Sequence, residues 1–217
     1  MQVAVIEGCG SWNHGPGVAH CVMVSAAAFP GVFPTATRTR HPVSKVTQLK
    51  TAPDLDTPTD LDDKAVRAIS KALNGILADS FALYLKTKNF HWHVSGPHFR
   101  SYHLLFDEQA AAIFETTDEI AERVRKIGGT TLRSISHISK EQSIADNDEA
   151  FVSAGDMVRE LMNDNKAVAA AMRKAHKLAD DHEDVATASL LEMYIDATEK
   201  RTWFLFESAR KADESGH

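Results

Sequence analysis

The chain has 217 residues, 43% of them hydrophobic and 25% charged, with a formal net charge of −6 and two cysteines. That balance suits one globular domain with a sizeable core, and it excludes a chain that binds polyanions through its overall charge. Both cysteines, Cys9 and Cys21, fall near the start, so the body has no disulfide framework and fits a reducing, cytoplasmic compartment.

Residues 1–58 hold six of the seven prolines and five of the eleven glycines and keep no helical period. They read as a disordered N-terminal extension to a domain spanning 59–217. The apolar run Val18–Phe29 has only Glu7 as a charge before it and is short of the ~20 residues a membrane span needs. Neither a signal peptide nor a membrane anchor is expected. Cys9, His14, His20 and Cys21 are zinc-type residues whose spacing matches no common finger. Arg38, Arg40, Lys45 and Lys50 lie in an acid-free stretch, and a basic arm of this kind could neutralise DNA phosphates.

A first helix is predicted from Asp60, as cap, to His91, with Val66, Ile69, Leu73, Ile76 and Leu77 on its apolar face. Ser95-Gly96-Pro97 then reverses the chain. A second helix follows from Phe99 to Ile127, where Phe99, Phe106, Ile113, Ile120 and Ile127 form a seven-residue stripe that Gly128-Gly129 ends. A long connection with a short helix near Ser136–Gln142 leads to a third helix capped by Ser153, with Asp156 three residues on. The fourth runs from Asp184 to Ala212, its face carrying Leu191, Ile195, Thr198, Thr202 and Leu205. Four helices with one long crossover predict an all-α bundle.

The chemistry concentrates around the second helix. At about 100° per residue, His103, Asp107, Asp118 and Glu122 fall roughly 60° to 160° from the apolar stripe, on one flank that also holds Ala110, Ala111, Phe114 and Ala121. Such a flank is expected to be covered. Arg125 is its only basic residue from this helix, so a metal cation is the economical partner for its carboxylates. Asp107 and Asp118 are about 16 Å apart along the helix, too far to share an ion within bonds of about 2.0–2.6 Å. Either there are two half-sites, or two antiparallel copies complete each other's site; the covered flank favours the second arrangement. No Glu-x-x-His pair lies within the four helices, which argues against a di-iron centre built inside one bundle.

The run His91-Trp92-x-Val-x-Gly-Pro-x-Phe, then His103-x3-Asp107 and Asp118-x3-Glu122-Arg123, closing on Gly128-Gly129, resembles the Dps family, the ferritin-like DNA-protection proteins of starved bacteria. The resemblance spans about Leu61–Lys211. It implies a ferritin-like four-helix bundle assembled as a hollow dodecamer. Such a shell oxidises Fe(II), preferentially with hydrogen peroxide, at intersubunit sites and stores the ferric product. Carried across, it gives His91, His103 and Asp107 from one subunit and Asp118 and Glu122 from its neighbour as catalytic iron ligands, with Trp92 beside them. His93 and His98 are extra histidines. Asp180, Asp181, Glu183 and Asp184, around His182, match the turn that lines iron-entry pores in such shells. The alternative reading is a nucleoid protein that compacts DNA through its basic arm.

Overall fold

The computed structural model describes residue 55 and residues 57–210, all within one unit, Leu49–His217. The candidate zinc residues and the basic residues Arg38, Arg40, Lys45 and Lys50 lie outside the described residues. The described residues form five helices: α1 (Asp63–His93), α2 (Phe99–Lys126), α3 (Ile135–Glu141), α4 (Ala154–Asp181) and α5 (Val185–Ala209). None is long and apolar enough to cross a membrane.

The cap of α1 is Asp62 rather than Asp60; its carboxylate accepts from the Ala65 N–H at 2.7 Å. Ile69, Leu73, Ile76 and Leu77 are buried as expected, and Leu83 and Phe90 extend the face. The helix continues two residues past His91, to His93, before the Val94 N–H closes on the Phe90 carbonyl at 2.8 Å. Gly96, at φ 112°, makes the reversal into α2.

In α2 the stripe Phe106, Ile113, Ile120 and Ile127 is buried, but Phe99 is 45% exposed. It opens the helix, and its ring leans on His103 with centroids 5.0 Å apart. Beyond the helix, Gly128 takes φ 90°. A Cβ on Gly129 would sit 2.0 Å from Ser70 Oγ, so only glycine lets this turn close against α1.

α1 packs on α2 and α4 on α5; α1 also lies against α4, and the short α3 against α1. Their shared core includes Leu73, Leu83, Phe90, Phe106, Ile120, Leu161, Met172, Leu191 and Leu205. The connection from α3 to α4 is held to the bundle by polar side chains. Buried Asp79 accepts from the Ser143 hydroxyl at 2.7 Å and from the Ile144 N–H at 3.0 Å, and Asn89 donates to the Asn147 carbonyl at 3.2 Å. Ser153 caps α4 as predicted, accepting from the Asp156 N–H at 3.2 Å, and Asp184 caps α5, accepting from the Thr187 N–H at 3.1 Å.

The core also holds charge. Lys86, 6% exposed, reaches Asp164 at 2.8 Å and Glu160 at 3.0 Å. Burial raises the Asp164 carboxyl above its ordinary range. Arg201 is satisfied by neutral partners, donating to Asn165 Oδ1 at 2.9 Å and Thr198 Oγ1 at 2.7 Å; burial pushes its guanidinium down to about 10. The result is an all-helical four-helix bundle with a long crossover.

Candidate metal centre

The last turn of α1 and the first turns of α2 bring His91, His103 and Asp107 to one end of the bundle. The two imidazoles stack, with centroids 3.8 Å apart and 22° between planes. Each grips the other's main chain: His91 Nδ1 lies 2.8 Å from the His103 carbonyl, and His103 Nδ1 lies 2.9 Å from the His91 carbonyl. A carbonyl only accepts, so both Nδ1 atoms carry the proton. In the neutral rings each Nε2 then keeps a lone pair, the form in which histidine binds a metal, and the Nδ1 contact fixes the tautomer. Imidazole nitrogens suit iron, zinc, copper and nickel alike. His91 Nε2 lies 3.9 Å from Asp107 Oδ1.

Lys88 was missed at the sequence level. It sits on α1 one turn before His91, and its ammonium lies 2.6 Å from Asp107 Oδ1. This contact holds the Asp107 carboxyl below its usual range. Its position three residues before His91 was the available signal. The expectation that the carboxylates lack a basic partner is thus corrected: α1 provides Lys88 for Asp107, and Lys126, on α2 itself, lies 2.9 Å from Glu122. Both carboxylate side chains are more than half exposed in the protomer, which explains why lysines can reach them.

Asp118 and Glu122 stand exposed further along α2. Asp118 is eleven residues beyond Asp107, about 16 Å along the axis. The structure therefore stacks His91 on His103 with Asp107 nearby, and leaves Asp118 and Glu122 apart from them. Among the described residues, no three His, Cys, Asp or Glu side chains converge into a group that could hold a metal. Trp92 is 59% exposed, with its ring centroid 6.0 Å from Lys88 Nζ. His93 turns back to the Asn89 carbonyl at 2.8 Å, and His98 meets the Tyr102 ring edge-on.

The acidic turn divides into two kinds of residue. Asp180, Asp181 and Glu183 are exposed, with Lys177 donating to both Asp181 oxygens at 2.7 and 2.9 Å. Asp184 is only 4% exposed: it caps α5 and pairs with Arg123, whose Nε also donates to Thr187 Oγ1 at 2.8 Å.

The family model for the ferritin-like domain matches residues 70–213. The DNA protection during starvation protein of Brevibacillus brevis is 34% identical over 137 residues, covering 63% of this chain and 91% of that protein. DNA protection during starvation protein 1 of Deinococcus radiodurans is 31% identical over 145 residues, covering 67% of this chain and 70% of that protein. The chain belongs to the Dps family. A Dps crystal structure from Vibrio cholerae, described as a member of a broad superfamily of ferritin-like diiron-carboxylate proteins, superposes with a TM-score of 0.67 at 25% identity. It covers 74% of this chain and 99% of its own. The shared region in this Dps chain contains all five candidate ligands.

Proposed function

We propose that this Dps protein oxidises Fe(II) with hydrogen peroxide at sites shared between two copies of the chain and stores the ferric product inside a closed dodecameric shell. Removing both reactants would protect DNA in a bacterial cytoplasm. One observation carries this reading: α2 bears two ligand sets on one flank that cannot reach one ion, and no three candidate ligands converge within the protomer. An antiparallel copy of α2 would bring Asp118 and Glu122 to the His91, His103 and Asp107 set.

In that reading the two histidines present Nε2 lone pairs already fixed by their Nδ1 contacts. The three carboxylates supply hard anionic oxygens, which favour Fe(III) over Fe(II). Each peroxide takes two electrons, one from each of two Fe(II) ions, and with two protons leaves as water. Exposed Asp180, Asp181 and Glu183, repeated around a shell opening, would attract Fe(II). The names of the Brevibacillus and Deinococcus relatives support the protective role, and the diiron-carboxylate description of the Vibrio neighbour supports iron as substrate.

The test is complementation. A chain with Asp118→Ala and Glu122→Ala and a chain with His91→Ala and His103→Ala should each fail to form the ferric absorbance after Fe(II) and peroxide are added. Refolded together, they should regain part of the activity, because some seams would unite two intact halves. A co-assembled mixture as inactive as either parent overturns the shared site.

A further inference from the structure

The residues between the two ligand sets follow the same symmetry as the ligands. Asp107 and Asp118 lie equally far on either side of the midpoint between Ala112 and Ile113, and so do His103 and Glu122. An antiparallel α2 pair that joins the ligand sets therefore has its twofold axis at that midpoint. This register dictates every other facing pair. Ala111 faces the partner subunit's Phe114, and Leu104 faces the partner subunit's Ala121. Each of these pairs sets a large side chain against a small one.

All four belong to the ligand flank: at about 100° per residue they and the ligands of α2 fit within an arc of about 100°. Phe114 is 51% exposed and Leu104 is 40% exposed, while Ala111 is exposed and Ala121 half-buried. Other large apolar side chains are exposed too, Trp203 and Phe151 among them, and what sets Phe114 and Leu104 apart is their place on the ligand flank. Phe114 is also held in place. The Phe114 ring packs on Tyr84 of α1 at 5.0 Å and meets Phe81 edge-on at 6.4 Å. The next facing pair outward sets Arg100 against the partner subunit's Arg125. That like-charge contact is relieved within the protomer, since Arg125 turns back to donate to the Gly129 carbonyl.

We infer that Phe114 and Leu104 are knobs seated against Ala111 and Ala121 of a second copy of this chain, and that this size matching fixes the antiparallel register that assembles the metal site. The inference rests on the shared-site reading above. A slip of one helical turn, about 5.4 Å, would part the ligand sets and set Phe114 against other residues. Packing and chemistry thus select the same alignment. Phe114 and Leu104 are positioning residues: each faces an alanine across the seam and decides which ligands meet.

The test exchanges the sizes between two chains. Ala111→Phe alone sets Phe against Phe at both central contacts and should lower the fraction of assembled protein at least about tenfold. Phe114→Ala alone sets Ala against Ala and should weaken assembly less. A mixture of the two variants can form a pair in which both contacts are again one large and one small residue. Native mass spectrometry of differently tagged full-length chains should show these mixed pairs in about tenfold excess over random mixing, with Fe(II) oxidation restored. Circular dichroism and thermal unfolding establish that each variant protomer is folded, as expected for an exposed Ala111. Folded variants that mix at random, or a folded Ala111→Phe chain that assembles like the unmodified protein, overturn the register. If mixed pairs form but the unmodified protein oxidises no Fe(II), the shared-site chemistry fails and the register stands. If oxidation and ligand complementation succeed but size exchange does not, the register alone fails.

Discussion

The Lys88 ammonium lies 2.6 Å from Asp107 Oδ1 and so occupies a position a cation at this carboxylate would need. In the shared-site reading, binding of Fe(II) to Asp107 must displace an ion already in place. Lys88→Met is therefore expected to tighten Fe(II) binding. The pair is partly solvent-exposed, and such pairs contribute modestly, so the gain should be about fivefold or less. Anaerobic Fe(II) titration of assembled protein measures it. Weaker binding in the variant would assign Lys88 a supporting part in holding Asp107 instead.

Lys86 poses the same question inside the bundle, where the answer has a larger magnitude. It is 6% exposed and stands between Asp164 and Glu160. Lys86→Met would strand two carboxylates, Asp164 being the more buried, and should cost about 3 kcal/mol at neutral pH. The pH dependence has a definite sign. Burial already raises the Asp164 carboxyl, so the folded chain takes up its proton before the unfolded chain does. The deficit of the variant against the unmodified chain should therefore shrink as pH falls from neutrality toward about 4. Paired denaturant titrations at several pH values check this; a deficit that grows toward acid contradicts it.

Within the acidic turn, burial separates two outcomes. Asp184→Ala removes the α5 cap and leaves the half-buried Arg123 without its carboxylate, and should cost about 3 kcal/mol. Asp180→Asn and Asp181→Asn alter exposed residues and should change stability by no more than about 0.5 kcal/mol. If the turn guides Fe(II) into a shell, this second pair should slow mineral formation while leaving thermal unfolding in place. Stopped-flow ferric absorbance beside calorimetric unfolding distinguishes the two. A large stability loss from Asp181→Asn would contradict the division.

Local signals carried most of the fold into the sequence. Ser153 caps the helix it was expected to cap, and the stripe from Phe106 to Ile127 is buried. The cap of α1 was misplaced by two residues because Asp60, Asp62 and Asp63 are chemically alike, and only the bond to Ala65 distinguishes Asp62. Phe99 fits the heptad but opens its helix, so no preceding turn encloses it. At the candidate site, residue type and spacing mark five candidate ligands and their division into two sets. What spacing along α2 could not convey was a partner from another helix. Lys88 meets Asp107 across nineteen residues of sequence, and Arg123 meets Asp184 across sixty-one. An acidic run looks uniformly solvated until tertiary packing buries one member of it.

Asp79 gives the α3–α4 connection a property unusual for a segment without regular secondary structure. Its buried carboxylate accepts hydrogen bonds from Ser143 and Ile144, more than sixty residues away in sequence. Lifting this stretch off the bundle would leave an anion in the core with no donors from the connection, a state costly enough to be rare. The Ile144 amide should therefore exchange with solvent deuterium only when α1 itself opens, not at the rate of a surface loop. The connection then belongs to the cooperative unit of α1, and a protease would find it intact until that helix lets go.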